Sequence, residues 1–307
     1  MNPVIILRHT ERNIKEMTVS VIITTFNRPL SLKRAVDSVL NQTLPPAEII
    51  VINDGDALPM NESFLRESLV KVYQNKQNRG ANFSRNRGAD LAVGEVLMFL
   101  DDDDTWETDK IHCQMQVFEA NPEAGLVYSG KIMVYDVDRT KELYRVPANI
   151  SGYIYPGILE RNIIGTTSSA AIKKNVFFEA GGFDEDLPAM QDYDLWIRVC
   201  RLGPVVGDGS FNVRYTLNQN SKKEQISNSG TNQEIAVEML LSKYGPLFKK
   251  EGISLRKRKA RWYFYIAKSL RKRNFKKSLG YALKSFFTSP NLPAIAVVFL
   301  QERKKLF

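Results

Sequence analysis

Cysteine is nearly absent: Cys113 and Cys200 are the two found in 307 residues. They cannot build a disulfide framework or a four-cysteine zinc site, and so sparse a pair fits a reducing compartment. No thiol chemistry is assigned to either. Histidine is equally scarce, with His9 and His112 alone, so a cysteine–histidine zinc spacing is missing. Long apolar runs are missing too. Residues 4–7 are too short for a signal-peptide core, and charges follow from Arg8 to Glu16. Residues 292–300 fall far short of the about 20 that a membrane-spanning helix needs. The chain is expected in the cytoplasm, with attachment to the cytoplasmic membrane face left open.

What is present is ordinary for a globular protein: 43% hydrophobic and 25% charged residues. The charge is unevenly placed. The formal net charge is +9, but residues 243–307 hold 18 Lys/Arg against 2 acids, leaving 25 basic and 32 acidic residues in the body. A mildly acidic body and a strongly basic tail therefore need separate explanations.

Residues 1–17 read as an N-terminal extension. Val19-Ser-Val-Ile-Ile-Thr24 is a β-branched run of buried-strand type. Pro29 then opens a helix whose apolar residues Leu32, Val36, Val39 and Leu40 share one face. Glu48-Ile-Ile-Val-Ile52 is a second strand, Lys71-Val-Tyr73 a weak third, residues 82–92 a helix, and Val96-Leu-Met-Phe-Leu100 a further buried strand. Repeated β-α-β units predict an α/β fold with a mostly parallel sheet. Residues 126–134 read as one strand followed by a polar stretch to Ala148. Leu195 to Val199 begins a helix, residues 221–232 form a Ser- and Asn-rich loop, and the remainder is helical.

In parallel sheets ligands bind beyond the carboxyl ends of the strands. Thr24-Thr25-Phe26, Asp54 and the run Asp101 to Asp104 each follow directly on a strand, so three polar clusters converge on one edge. Four consecutive carboxylates repel one another. Either a hard cation such as Mg2+ or Mn2+ offsets this, or the run is an acidic turn that caps a helix starting near Trp106. The apolar strand before it favours the cation. Along a strand end, Asp101 and Asp103 point the same way and could share one ion.

Taken in order, four blocks resemble the inverting glycosyltransferases of family 2, which have the nucleotide-sugar-binding GT-A fold. Val19-Ser-Val-Ile-Ile-Thr-Thr-Phe-Asn-Arg-Pro29 is similar to the opening strand and nucleotide loop. Ser38-Val-Leu-Asn-Gln-Thr43 with Glu48-Ile-Ile-Val-Ile-Asn-Asp-Gly55 is similar to the next helix and strand. Arg79-Gly-Ala-Asn-Phe-Ser-Arg-Asn-Arg-Gly88 resembles the Arg-Asn segment, and Phe99-Leu-Asp-Asp-Asp-Asp104 the DXD motif. Gly181-Gly-Phe-Asp-Glu185 and Gln191-Asp-Tyr-Asp-Leu-Trp196 resemble acceptor-side blocks.

The resemblance implies a catalytic domain over residues 18–232 and a basic helical region over 233–307. It implies a nucleotide-sugar donor held by Thr24, Phe26, Asn27, Arg28, Asp54, Arg85, Asp101 and Asp102. The Phe26 ring would stack on the base, Asp54 would accept a hydrogen bond from it, and Arg85 would face the diphosphate. It further implies Mn2+ or Mg2+ on Asp103 and Asp101, Asp192 as catalytic base, and a glycan or lipid-linked acceptor. Family members often have Glu where Gln191 stands, and often a His in the loop after Tyr215; here Asn218 or water would substitute for the latter.

The bland readings stand beside these. Gly181-Gly182 is either a turn demanding positive φ or an acceptor loop. Residues 166–169 either line the acceptor cleft or form a polar strand edge. Trp196 reads as core, and His112 as a surface or packing residue. A sugar-phosphate nucleotidyltransferase would need a glycine-rich loop after the first strand, and residues 24–30 contain no glycine. A non-catalytic nucleotide-sugar or polyanion-binding module is the third alternative.

In the tail, Phe275, Leu279, Ala282, Leu283 and Phe286 fall on one helical face. Ala267, Ala282 and Pro290 are similar to one helix pair of a tetratricopeptide-like repeat. The basic residues either make a solvated face of a helical cap or contact an anionic membrane surface. Nucleic acid is not expected as a partner, since no recognition signature accompanies the charge.

Overall fold

The computed structural model describes residues 17–58, 66–217, 230–271 and 274–290. The N-terminal extension up to residue 16, the polar loop up to residue 229 with Asn218, and the apolar residues 292–300 lie outside these.

A β-α-β-β-α-β run opens the fold: β1 (Val19–Thr25), α1 (Pro29–Leu40), β2 (Glu48–Asn53), β3 (Val70–Gln74), α2 (Ala81–Leu91) and β4 (Val96–Asp101). β5 (Thr105–Trp106), α3 (Lys110–Ala120), β6 (Leu126–Tyr128), β7 (Lys131–Tyr135) and β8 (Asp138–Val146) follow. After them come β9 (Ala170–Lys173), α4 (Lys174–Glu179), α5 (Gln191–Val199), β10 (Val205–Gly207) and β11 (Val213–Leu217). Three helices close the chain: α6 (Gly230–Lys250), α7 (Leu255–Leu270) and α8 (Phe275–Thr288).

Seven strands form the central sheet in the order β10-β6-β9-β4-β1-β2-β3. It is parallel except for β9, which runs antiparallel to both neighbours. A second sheet, β5-β11-β7-β8, lies to one side. Because side chains alternate along a strand, the central strands supply two cores. Ile22, Ile50, Leu97 and Phe99 pack into one, with Trp196 of α5 and Val237, Phe248 and Trp262 of the C-terminal helices. Val21, Ile23, Val51, Met98 and Leu100 pack into the other, with Leu32 and Val36 of α1 and Ile111 and Phe118 of α3. Both faces are covered, which is why the strands read as unbroken apolar runs.

Four expectations change. Residues 126–134 are two strands in different sheets, because the Ser129 N–H goes to Ser169 and the Gly130 N–H to Ser210. The polar stretch beyond holds β8, an edge strand largely exposed on both faces and thus without apolar alternation. No helix starts near Trp106; that residue is in β5, paired with Val213, and α3 begins at Lys110. On α8 the buried residues are the small Ser278, Ala282 and Ser285, while Phe275, Leu283 and Phe287 are exposed. The small side chains let α8 lie close against α7, where the Ser278 and Ser285 hydroxyls donate to the carbonyls of Ala267 and Ala260.

Candidate active site

Thr24 pairs in register with both Ile52 and Asp101, so the carboxyl ends of β1, β2 and β4 stand side by side. The three polar clusters meet at this edge. After Asp101 the chain turns tightly, closed by the Asp104 N–H donating to the Asp101 carbonyl at 3.0 Å. The turn divides the four carboxylates into two pairs.

Asp102 and Asp104 are buried, 6% and 1% exposed. Asp102 accepts from the Thr25 hydroxyl at 2.7 Å and from Arg28 at 3.0 Å. Asp104 accepts from the Ser168 hydroxyl at 2.7 Å and from the Thr216 N–H of β11 at 3.0 Å. Burial pushes Asp102 up to about 6 and holds Asp104 well above the usual carboxylate range, and the neighbouring Asp103 adds to both. These two are therefore struts inside the turn. Asp102, grouped with the donor contacts from sequence, has its carboxylate committed to Thr25 and Arg28.

Asp101 and Asp103 keep 27% and 21% of their side chains exposed. Asp101 pairs with Arg85 at 2.6 Å and accepts from Thr167, while Asp103 lies 3.3 Å from Arg28. Residues 166–169 thus buttress the acidic turn, with Ser168 and Thr167 touching it directly. Among the described residues, no group of three or more His, Cys, Asp or Glu side chains converges as a metal cage. Two partly exposed carboxylates do suit a hard cation that takes its remaining ligands from water and substrate phosphate. The donor set fits an ion shared with a diphosphate.

The other nucleotide-loop residues are placed as follows. Phe26 is 49% exposed on the loop after β1. Asn27, at φ 54°, clasps Asp56 through both ends of its amide. Asp54 is buried and accepts from Asn75 at 2.6 Å and from the N–H groups of Arg79 and Gly80 at 2.9 and 2.8 Å. These bonds fix the loop into α2.

α2 carries Arg85 between two asparagines that hold the acceptor-side block. Asn82 donates to the carbonyls of Asp184 and Leu187, and Asn86 exchanges bonds with the Phe183 backbone. Gly181 has φ 83° and Gly182 has φ 65°. The turn reading of this pair therefore holds.

α5 begins at Gln191, ahead of the expected Leu195, which puts Asp192 in its first turn. Met190 before it adopts φ 60°, a left-handed conformation rare for a non-glycine residue. Two aspartates of this helix have opposite fates. Asp194 is fully buried and bonded to Arg198 at 2.5 Å, Lys243 at 2.9 Å and the Tyr244 hydroxyl at 2.7 Å. Asp192 remains partly exposed, accepting from Asn162 at 3.3 Å and from the Tyr193 N–H at 2.7 Å. Burial pushes Asp192 up to about 6; the Asp101 charge also raises it, whereas the Tyr193 N–H, Lys131 and Arg85 lower it. Asp192 therefore feels the charges of Arg85 and Asp101, and it lines a cavity of about 360 Å³.

Motif reading gave no role to Lys131, Asn162 and Arg258: the first was read only as part of the strand over 126–134, and the last only as part of the basic tail. Gly165, at φ 90°, lies against Lys131: an added Cβ there would fall 2.0 Å from the lysine Nζ, the flexible end of that side chain.

A mostly parallel sheet with an acidic turn at its carboxyl edge and an arginine beside it defines a GT-A-type enzyme. Residues 20–183 match the profile of Glycosyl transferase family 2, and the chain belongs to that family. It is a glycosyltransferase. It is similar to an uncharacterized glycosyltransferase of Haemophilus influenzae, 29% identical over 74% of this chain and 76% of the relative. It is also similar to a glucosyl-dolichyl phosphate glucuronosyltransferase of Haloferax volcanii, 33% identical over 55% of this chain and 56% of that protein. Among solved structures, S. aureus TarS 1-349 in complex with UDP-GlcNAc superposes with a TM-score of 0.58 at 14% identity, over 92% of this chain and 84% of that one. That likeness is one of fold.

Proposed function

We propose that this glycosyltransferase moves a sugar, with inversion and with help from Mn2+ or Mg2+, from a UDP-sugar to a hydroxyl of a glycan or lipid-linked acceptor in cell-surface polysaccharide synthesis. The observation that carries the reading is Asp192: a carboxylate with a raised proton affinity that lines an open cavity and feels the charges of the paired Arg85 and Asp101. A donor with its base at Phe26 and its diphosphate at Arg85 presents its anomeric carbon toward Asp192. The acceptor O–H gives its proton to Asp192 while the oxygen bonds to that carbon. The bond to the diphosphate breaks on the opposite side and its electron pair leaves with the phosphate, which Arg85 stabilises. A cation on Asp103 and Asp101 would supply further positive charge to the leaving diphosphate. A single base on one face implies inversion. The TarS structures with UDP and with UDP-GlcNAc support a uridine donor.

Purified protein is expected to hydrolyse a UDP-sugar slowly with Mn2+ and to stop when EDTA is added. Turnover indifferent to EDTA removes the cation from the reading.

No helix among the described residues is long and apolar enough to cross a membrane. The outer side of α8 nevertheless presents Phe275 and Phe287, 53% and 74% exposed, beside exposed Lys276 and Lys277. Apolar rings flanked by lysines suit the surface of an anionic bilayer, worth about 1 kcal/mol per basic residue near the head groups. Phosphatidylglycerol vesicles should bind the protein, and Lys276→Glu with Lys277→Glu should weaken binding at least about tenfold. Equal binding to neutral phosphatidylcholine vesicles would dispose of a membrane role for this face.

A further inference from the structure

Most of the basic residues of the C-terminal helices face solvent, but Arg258 of α7 does not. It is 4% exposed. Its guanidinium donates to the Tyr193 hydroxyl at 2.7 Å and to the Glu160 carbonyl, and its Nε has no hydrogen-bond partner. No carboxylate among the described residues forms an ion pair with it. The Trp262 ring centre lies 4.3 Å from its guanidinium carbon and the Tyr193 ring centre 5.3 Å from it. The rings hold the charge in place without neutralising it. Burying a cation with no anion is costly, so such a group marks a place where an anion is received.

Arg258 lines the cavity that opens on Asp192. The lining includes the polar Arg161 and Asn162 and, from α7, Trp262, Tyr265 and Ile266. The cavity measures about 360 Å³. That falls within the roughly 300–1,000 Å³ range of small-ligand sites. Aromatic side chains stack against the apolar face of a sugar ring, and an arginine fork takes phosphate oxygens. Both occur here beside the carboxylate to which an acceptor hydroxyl must come.

We infer that this cavity binds the acceptor, and that the acceptor is a sugar unit bearing a phosphate group, anchored by Arg258 and packed against Trp262 and Tyr265. The inference rests on the proposed transfer reaction in taking Asp192 as the base. It adds the acceptor's chemical class and gives the inward-turned part of the basic region a task in the reaction. A phosphate at Arg258 would accept from the terminal guanidinium N–H groups not given to Glu160 and Tyr193, leaving a ring hydroxyl toward Asp192. The phosphate could link the sugar to a lipid or to a longer glycan; the chemistry at Arg258 is common to both.

The test uses the full chain with UDP and Mn2+ in excess, so that the diphosphate end is already filled. Glucose 1-phosphate and methyl glucoside are then titrated by calorimetry. Glucose 1-phosphate should bind at least about tenfold more tightly, as expected for a charge-assisted pair. Arg258→Gln should bring the two probes within about twofold of each other, and Arg258→Lys should restore part of the preference. Tyr265 is 48% exposed, so Tyr265→Ala should fold normally; it should weaken both probes and leave their ratio intact.

Equal affinity of the wild-type protein for the two probes overturns the inference, and does so even where Arg258→Gln fails to fold. A folded Arg258→Gln that keeps the wild-type ratio overturns it as well. Added alkyl glucosyl phosphate that binds more tightly than glucose 1-phosphate identifies a lipid-linked source, and equal binding a soluble one; each requires the anion site. The UDP titration separates the two readings. UDP that fails to bind while the probe ratio persists defeats the proposed reaction alone; UDP that binds while the ratio is one defeats this inference alone.

Discussion

Asp192→Asn is expected to bind UDP as the wild type does and to transfer sugar about 10²- to 10⁴-fold more slowly, the span that general-base assistance supplies. The substitution keeps size and shape: its amide oxygen can still accept from the Tyr193 N–H, its amide nitrogen no longer accepts from Asn162, and the proton acceptor is lost. Asp192 reaches the donor end only through space, by way of the Arg85 and Asp101 charges. UDP affinity should accordingly change little. The same carboxylate sets the pH response. A base must be unprotonated to act, and burial raises this group from 3.8 to about 6. Transfer should therefore rise with pH up to about 6 and, below it, drop nearly tenfold per unit. In Asp192→Asn the residual activity should lack that limb. An acid limb unchanged in the variant, or full transfer by it, would assign the proton to another group.

The second large effect is on stability. Phe248 of α6 is completely buried and belongs to the same core as Phe99 of β4 and Trp196 of α5. Phe248→Ala should cost about 3–5 kcal/mol, the usual range for emptying a phenylalanine site. Because the core is continuous, the loss should shift one cooperative thermal transition of the whole protein. A second transition, with the first unmoved, would mean that the C-terminal helices melt alone. The charge boundary near residue 243 thus does not coincide with a boundary in packing.

That mismatch bears on how much of the molecule its sequence discloses. The strands β1, β2 and β4 were legible because each is buried on both faces and reads as a β-branched or apolar run closed by a polar residue. The edge strand β8 was not, since exposure on both sides removes any pattern of alternation. The acidic turn could be located, but not its inner division. Whether Asp102 turns inward depends on Thr25 of β1 and on Arg28 at the entry to α1, both far away along the chain. The two aspartates of α5 are also indistinguishable in one dimension. Their difference comes from Lys243 and Tyr244, which reach Asp194 from α6. Arg258 was counted in the basic run, where its neighbours are indeed exposed. Its burial became apparent only with the rings of Trp262 and Tyr193 around it. Motifs carry local geometry well; they do not carry the choice of which charge is turned inward.

The two sides of the site are supplied by different stretches of chain: β1, β2, α2 and β4 at the sheet edge, and α6 and α7 at the cavity beyond Asp192. In evolutionary terms the two ligands can be revised separately. Relatives can retain one nucleotide end while altering the other wall by changes in α7. The freedom is graded along that helix: Tyr265, half exposed, can drift at little cost, but Trp262 and Arg258 are embedded in the packed interior. New acceptors should thus be explored first at the rim and only rarely at the anchor.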